Sequence, residues 1–434
     1  MKRKNFLNTC TCMTIGMAGY SFFPDLLKSS SMKNPKKSYI EYVRRSAVKK
    51  EVLDIFMNEN SWAEFDPELG YILGNYMPRD GIDGSFTIST AMPDGSRTRQ
   101  AYAGRPCRIN TYGNSFTQCH QVSDAETWQE YLAGHLGEPV RNFGMGGFGV
   151  YQAYRRMVRE ELTSHGADHV ILYMWGDDYM RSVFRCRYVV FYPFWDNDGG
   201  YLFHGNFWSN MEMDLTTGIL VEKDNIISRR EDLYRMTDPD FMVENLKDDL
   251  MVQLHLLGRE IVNTDVNVKG LKRLAEILEV PELDFTSPEK LAGSSNELKN
   301  KYAFAATRKI LLEAAEFTHN QGKKLMLIHL DPYGVFRPLT AGIPRYDREV
   351  IDFIRENGFV YFDMNEVHLE DFRKFNLSLD EYMERYFIGH YNPAGNHFFA
   401  YSLKDRIVNW LDPKPITYMP KDSRIIQFEG YLQK

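Results

Sequence analysis

The run His169–Trp175 (His-Val-Ile-Leu-Tyr-Met-Trp) is apolar without alternation, and it constrains this chain more than any other stretch. A strand written this way is buried on both faces, which calls for a parallel sheet sandwiched between two helical layers. The flanking sequence supplies the rest of such a sheet. Short apolar runs at Cys107–Tyr112, Pro139–Phe143, Lys324–Leu330 and Phe359–Phe362 read as four further strands. Between them lie helical patterns. Ser123-Asp124-Ala125-Glu126 forms a capping box ahead of Trp128, Tyr131 and Leu132, and Gly137 ends that helix. Further helices are expected over about Tyr151–Ser164, Lys301–Asn320 and Ala394–Trp410. The expected fold is α/β, a three-layer α/β/α domain around a central parallel five-stranded sheet with a large insertion.

That alternation divides the chain of 434 residues. Residues 31–104 are an accessory segment, with a helix expected around Tyr39–Asn58 followed by turn-rich sequence. The sheet domain is discontinuous, over 105–184 and 301–412, and 413–434 is a tail. The intervening 185–300 is an aromatic and helical insertion. It opens on Tyr188, Phe191, Tyr192, Phe194 and Trp195, and Asp196-Asn197-Asp198-Gly199-Gly200 reads as a hairpin turn. Helices follow around Phe241–Val262 and Val268–Leu278. The aromatic stretch serves either as a hairpin's own core or as a lid that stacks on substrate.

The net charge of −7, with both signs spread along the chain, argues against a nucleic-acid surface, which needs clustered Lys and Arg. No run in the body of the chain reaches the apolar length of a membrane span. Residues 1–30 have the layout of an export signal: Lys2, Arg3 and Lys4, then a weakly apolar stretch from Met13 to Pro24. Arg3-Lys4-Asn5-Phe6-Leu7-Asn8 is similar to a twin-arginine signal with Lys at the second basic place, so the expected location is periplasmic or extracellular. Beyond that segment only Cys107, Cys119 and Cys186 remain, so either one disulfide forms or all three are free thiols.

Four segments carry chemistry, each at the C-terminal end of a strand or the start of a helix, where an open α/β sheet collects its ligands. Gly113-Asn114-Ser115 follows the first strand as a tight turn that exposes a hydroxyl beside backbone N–H groups. Asn142-Phe143-Gly144-Met145-Gly146-Gly147 follows the second, rich enough in glycine for backbone N–H groups to meet an anion. Trp175-Gly176-Asp177-Asp178 ends the third strand. His390-Tyr391-Asn392-Pro393 precedes the last helix.

In this order the segments resemble the SGNH (GDSL-type) hydrolases. The resemblance covers roughly 105–180 and 323–411, and implies a flavodoxin-like sheet of order 2-1-3-4-5 and ester hydrolysis without a metal or other cofactor. It implies Ser115 as nucleophile and His390 as base, with the N–H of Gly147 and the side chain at Asp177 receiving the oxyanion. The substrate class it implies is an acyl or acetyl ester, small or carbohydrate-borne. Three positions depart from the family pattern. Asn114 replaces an Asp that does no chemistry. Asp177 replaces an Asn, and an ionised carboxylate has no proton to give an oxyanion. Ile388 and Phe387 occupy the places where an Asp orients the His, which leaves Asp380, Glu384 or Asp177 as carboxylates, or a Ser-His dyad alone. These changes also fit another class, a domain that binds glycan without turnover, and an acyltransferase would use the same site. His120 and His329 lie near the expected sheet edge. The sequence does not fix the oligomeric state.

Overall fold

The computed structural model describes residues 36–192 and 200–419. The export segment and the expected turn at Asp196–Gly199 lie outside the described residues. The central sheet has five parallel strands: β1 (Ile109–Tyr112), β2 (Val140–Asn142), β3 (His169–Met174), β4 (Lys324–His329) and β5 (Tyr361–Asp363), in the order β2-β1-β3-β4-β5. Each runs a residue or two shorter than its apolar run. β3 is central and buried along its whole length, as its composition requires. Its side chains alternate between two cores. Val170, Leu172 and Met174 join one, and Ile171 and Tyr173 the other.

Helices cover both faces. Trp128–Leu136 packs on Pro393–Trp410 on one side, and Val150–Glu161 packs against Pro288–Asn320 on the other. The fold is thus the three-layer α/β/α arrangement. Three expected helices differ, one of them Phe241–Val262, which is two helices, Pro239–Leu246 and Leu250–Gly258. The helix expected from Lys301 begins at Pro288, capped by the Ser287 side chain with Pro at its first position, and runs 33 residues out of the insertion into the sheet domain. The helix expected over Tyr39–Asn58 is two, Tyr39–Arg45 and Lys50–Asn58, separated where the Ser46 hydroxyl bonds back to the Val43 carbonyl. The insertion also carries an antiparallel pair, Asn210–Asp214 with Ile219–Lys223. Cys107, Cys119 and Cys186 are free thiols, the second and third buried. Among the described residues no helix is long and apolar enough to cross a membrane.

Candidate functional site

β1 ends in Gly113, whose close approach to the next strand leaves no room for a side chain. A Cβ there would lie 2.3 Å from the Thr117 hydroxyl and 3.0 Å from the Tyr173 backbone. Asn114 caps the single turn Ser115–Gln118, its Oδ1 accepting the Phe116 N–H. Its Nδ2 donates to Asp178 Oδ2 at 2.7 Å, a partner that a carboxylate at position 114 would repel. Asp178 is fully buried and also accepts the Trp175 N–H. Burial raises its pKa well above the usual carboxylate value, against the pull of Arg181.

This turn and the loop before the last helix bring Ser115 and His390 together across 275 residues, with Ser115 Oγ 2.7 Å from His390 Nε2. Ser115 is 5% exposed and His390 is buried. The opposite ring nitrogen, Nδ1, lies 2.9 Å from Gln121 Oε1, and the same oxygen accepts the His390 backbone N–H at 2.8 Å. A backbone N–H only donates, so the Gln121 atom facing it is the oxygen. Nδ1 therefore carries the proton, and Nε2 is left as an acceptor for the Ser115 hydroxyl.

Gln121 stands where a carboxylate was sought. Asp380 instead pairs with Arg337 on the surface, Glu384 is exposed, and Asp177 pairs with Arg181. The geometry of Gln121 comes from an uncommon backbone. Cys119 (φ 62°) and Gln121 (φ 71°) both take left-handed conformations, a strain that the surroundings must hold in place. Arg97 does much of that holding. Its guanidinium donates to the Gln118, Cys119 and Val122 carbonyls at 2.6–2.7 Å and pairs with Asp124.

His120 precedes Gln121 and pairs through Nε2 with Asp80 Oδ2 at 2.7 Å. Its ring centroid is 5.2 Å from that of His390 and 5.2 Å from that of Trp62. Burial would raise the Asp80 pKa, yet His120 and the Thr87 hydroxyl hold it below the ordinary value. His390 is pushed well below the usual histidine value by burial, helped by His120 and Arg181 and opposed by Asp80, so its ring is neutral at pH 7. The accessory segment therefore supplies Asp80, Trp62 and Arg97 to this site. His329, the other histidine near the sheet edge, is fully buried beside Asp347 and Asn365 and belongs to the fold.

The glycine loop after β2 lies against the Ser115 turn. Gly146 donates to Gln118 Oε1 at 2.7 Å. Gly147 has φ +81°, and a side chain there would come within 2.7 Å of both the Arg187 guanidinium carbon and the Tyr71 hydroxyl. Neither the Ser115 nor the Gly147 backbone N–H donates to another group among the described residues. Asp177 lies on the turn after β3 and faces a cavity of about 360 Å³ lined also by Lys299, Asn296, Asp331 and Tyr346. Burial raises Asp331 there to about 7 and lowers Lys299. Around the dyad, Trp62 Nε1, His120 Nδ1 and Arg181 Nε are buried without a hydrogen-bond partner among the described residues. No group of three or more His, Cys, Asp or Glu among the described residues is placed to hold a metal.

Of the candidates expected from sequence, Ser115, Gly147, Asp177 and His390, the structure brings Ser115 and His390 into contact, while Asp177 lines a cavity that the other three do not. Sequence reasoning did not find Gln121, Arg97, Asp80 or Arg187, whose places in the site depend on tertiary contacts. The chain matches no protein-family model and no curated protein.

Proposed function

We propose that this chain is an exported serine ester hydrolase of the SGNH type, acting on acyl or acetyl esters carried by a carbohydrate. The observation that carries the reading is the 2.7 Å contact of Ser115 Oγ with His390 Nε2, in the tautomer set by Gln121. Ser115 attacks the ester carbonyl and its proton passes to Nε2. The tetrahedral oxygen is received by the N–H groups of Ser115 and Gly147, and the His390 proton then goes to the leaving alcohol. Water, deprotonated by the same ring, releases the acid. A neutral Gln121 fixes the tautomer but brings no negative charge to the imidazolium. The buried polar atoms left without partners around the dyad support a hydroxyl-rich substrate over an alkyl one.

The test is labelling by a fluorophosphonate probe, read by intact mass and peptide mapping beside Ser115→Ala and His390→Ala. Labelling at Ser115 that both substitutions abolish is the expected result. A folded protein that takes no label would overturn the reading. The neutral Gln121 and the pairing of Asp177 with Arg181 would then favour a domain that binds glycan without turnover.

A further inference from the structure

The hydrolase reading leaves the oxyanion with two backbone donors and no side-chain donor, since Asp177 is a carboxylate paired with Arg181. A hole of this kind works by fixed donors aimed at the oxygen where charge develops, and a cation in a dry site is worth far more there than in water. The insertion brings one such group against the glycine loop after β2. Arg187 immediately precedes the short helix Tyr188–Phe191 and is 3% exposed. Its guanidinium lies over the Phe191 ring at 4.1 Å and donates to the His204 carbonyl. The same group closes on Gly147, where its carbon and Nε would stand 2.7 and 2.9 Å from any Cβ. The absence of a side chain at 147 is thus what admits the guanidinium to the loop that carries the candidate N–H. Tyr71, whose hydroxyl donates to the Gly146 carbonyl at 3.1 Å, stands on the same side of Gly147 and is hydrogen-bonded to Arg187.

We propose that Arg187 is the third oxyanion donor of this site, taking from the insertion the role that the family gives to a side chain after the third strand. The inference rests on the hydrolase reading. As the Ser115 Oγ–carbon bond forms, the carbonyl π pair moves onto oxygen and the hydroxyl proton moves to His390 Nε2. The negative oxygen then lies among the N–H groups of Ser115, Gly147 and Arg187. On collapse the pair returns to the C=O bond, the alcohol oxygen leaves, and the Nε2 proton goes with it. No atom of Arg187 is transferred, so its effect falls on the charged intermediate and on anionic tetrahedral adducts.

The experiment compares the full chain with Arg187→Ala and Arg187→Lys. It reads the rate of fluorophosphonate labelling at Ser115 and the hydrolysis of p-nitrophenyl acetate. Loss of one donor from such a hole slows the reaction on the order of 10²–10³-fold, and Arg187→Ala is expected in that range. Arg187→Lys, which keeps the charge without the fork, is expected between the two. Millimolar methylguanidinium is expected to restore much of the Arg187→Ala rate, which a purely structural role would not permit. Folded Arg187→Ala that labels at the rate of the unsubstituted protein would overturn the proposal. So would slow labelling that methylguanidinium leaves unchanged. If Arg187→Ala fails to fold, a folded Arg187→Lys that labels at the unsubstituted rate overturns it equally. Absence of label on the unsubstituted protein would instead overturn the hydrolase reading beneath it.

Discussion

Replacing Gln121 by Glu puts a carboxylate where the chain holds a neutral amide, and the structure sets the size of the effect. The Gln121 oxygen is 2.9 Å from His390 Nδ1, so a Glu oxygen in its place lies within about 4 Å of the imidazolium charge. At an effective dielectric constant of about 20, that attraction is about 4 kcal/mol. Burying the new carboxylate offsets part of it, because position 121 is itself buried. A net rise of about one to three pKa units in His390 remains, equal to about 1.4–4 kcal/mol. In the natural chain burial holds His390 well below 6.5, and in the proposed mechanism the neutral ring is the base. Activity is therefore full above that depressed pKa and lost as pH falls through it. Gln121→Glu moves this acidic limb towards neutrality by the stated one to three units. It also raises the plateau, because the imidazolium formed at the transition state gains a counter-charge. The assay is the rate of fluorophosphonate labelling from pH 4 to 9, with His120→Gln as a control for the neighbouring ring. A limb that moves by less than about half a unit, with Ser115 still labelled, would refute the assignment of Gln121 as the orienting partner.

Three other outcomes follow from the same contacts. Asn114→Asp sets two buried carboxylates 2.7 Å apart and should cost about 2 kcal/mol or more in urea unfolding, with Asp178→Asn restoring most of it; an unchanged midpoint would dismiss the Asn114–Asp178 contact. Arg97→Met leaves Asp124 without its cation and three loop carbonyls without the guanidinium, so a loss of about 3–5 kcal/mol in stability and a fall in Ser115 labelling are expected, whereas normal labelling would show that the 118–122 loop holds itself. Burial holds His368 at about 3 when folded against 6.5 unfolded, so the unfolded state binds the extra proton and stability drops by up to about 1.4 kcal/mol per pH unit as pH falls from 6.5 towards 3; His368→Phe should flatten that slope, read from denaturation midpoints across the range.

The parts of this molecule that were legible in sequence are those in which local pattern and burial agree. β3 must be covered on both faces, and its neighbours carry enough apolar residues to be found, so the sheet and its two helical layers follow from composition alone. Ser115 and His390 are legible for a related reason. Each sits at a strand or helix end that the alternation already locates; their pairing is what the family resemblance implies, and they meet because the last helix packs on Trp128–Leu136. The start of the long helix at Pro288 was written in Ser287-Pro288, but Gly293-Ser294-Ser295 weakens helix propensity just beyond it and hides the signal. Gln121 is different in kind. The candidate carboxylates are Asp380, Glu384 and Asp177, whereas the orienting atom is an amide oxygen from 269 residues away. Its side chain reaches His390 because Cys119 and Gln121 adopt left-handed backbone conformations, which neither residue prefers. That strain is held by Arg97, in a segment whose turn-rich sequence advertises no function. The accessory segment and the insertion both reach the candidate site: one holds the loop whose Gln121 bonds His390, and the other brings a guanidinium to the glycine loop. A fragment trimmed to 105–184 and 301–412 would keep Ser115 and His390 and lose the contacts that align them.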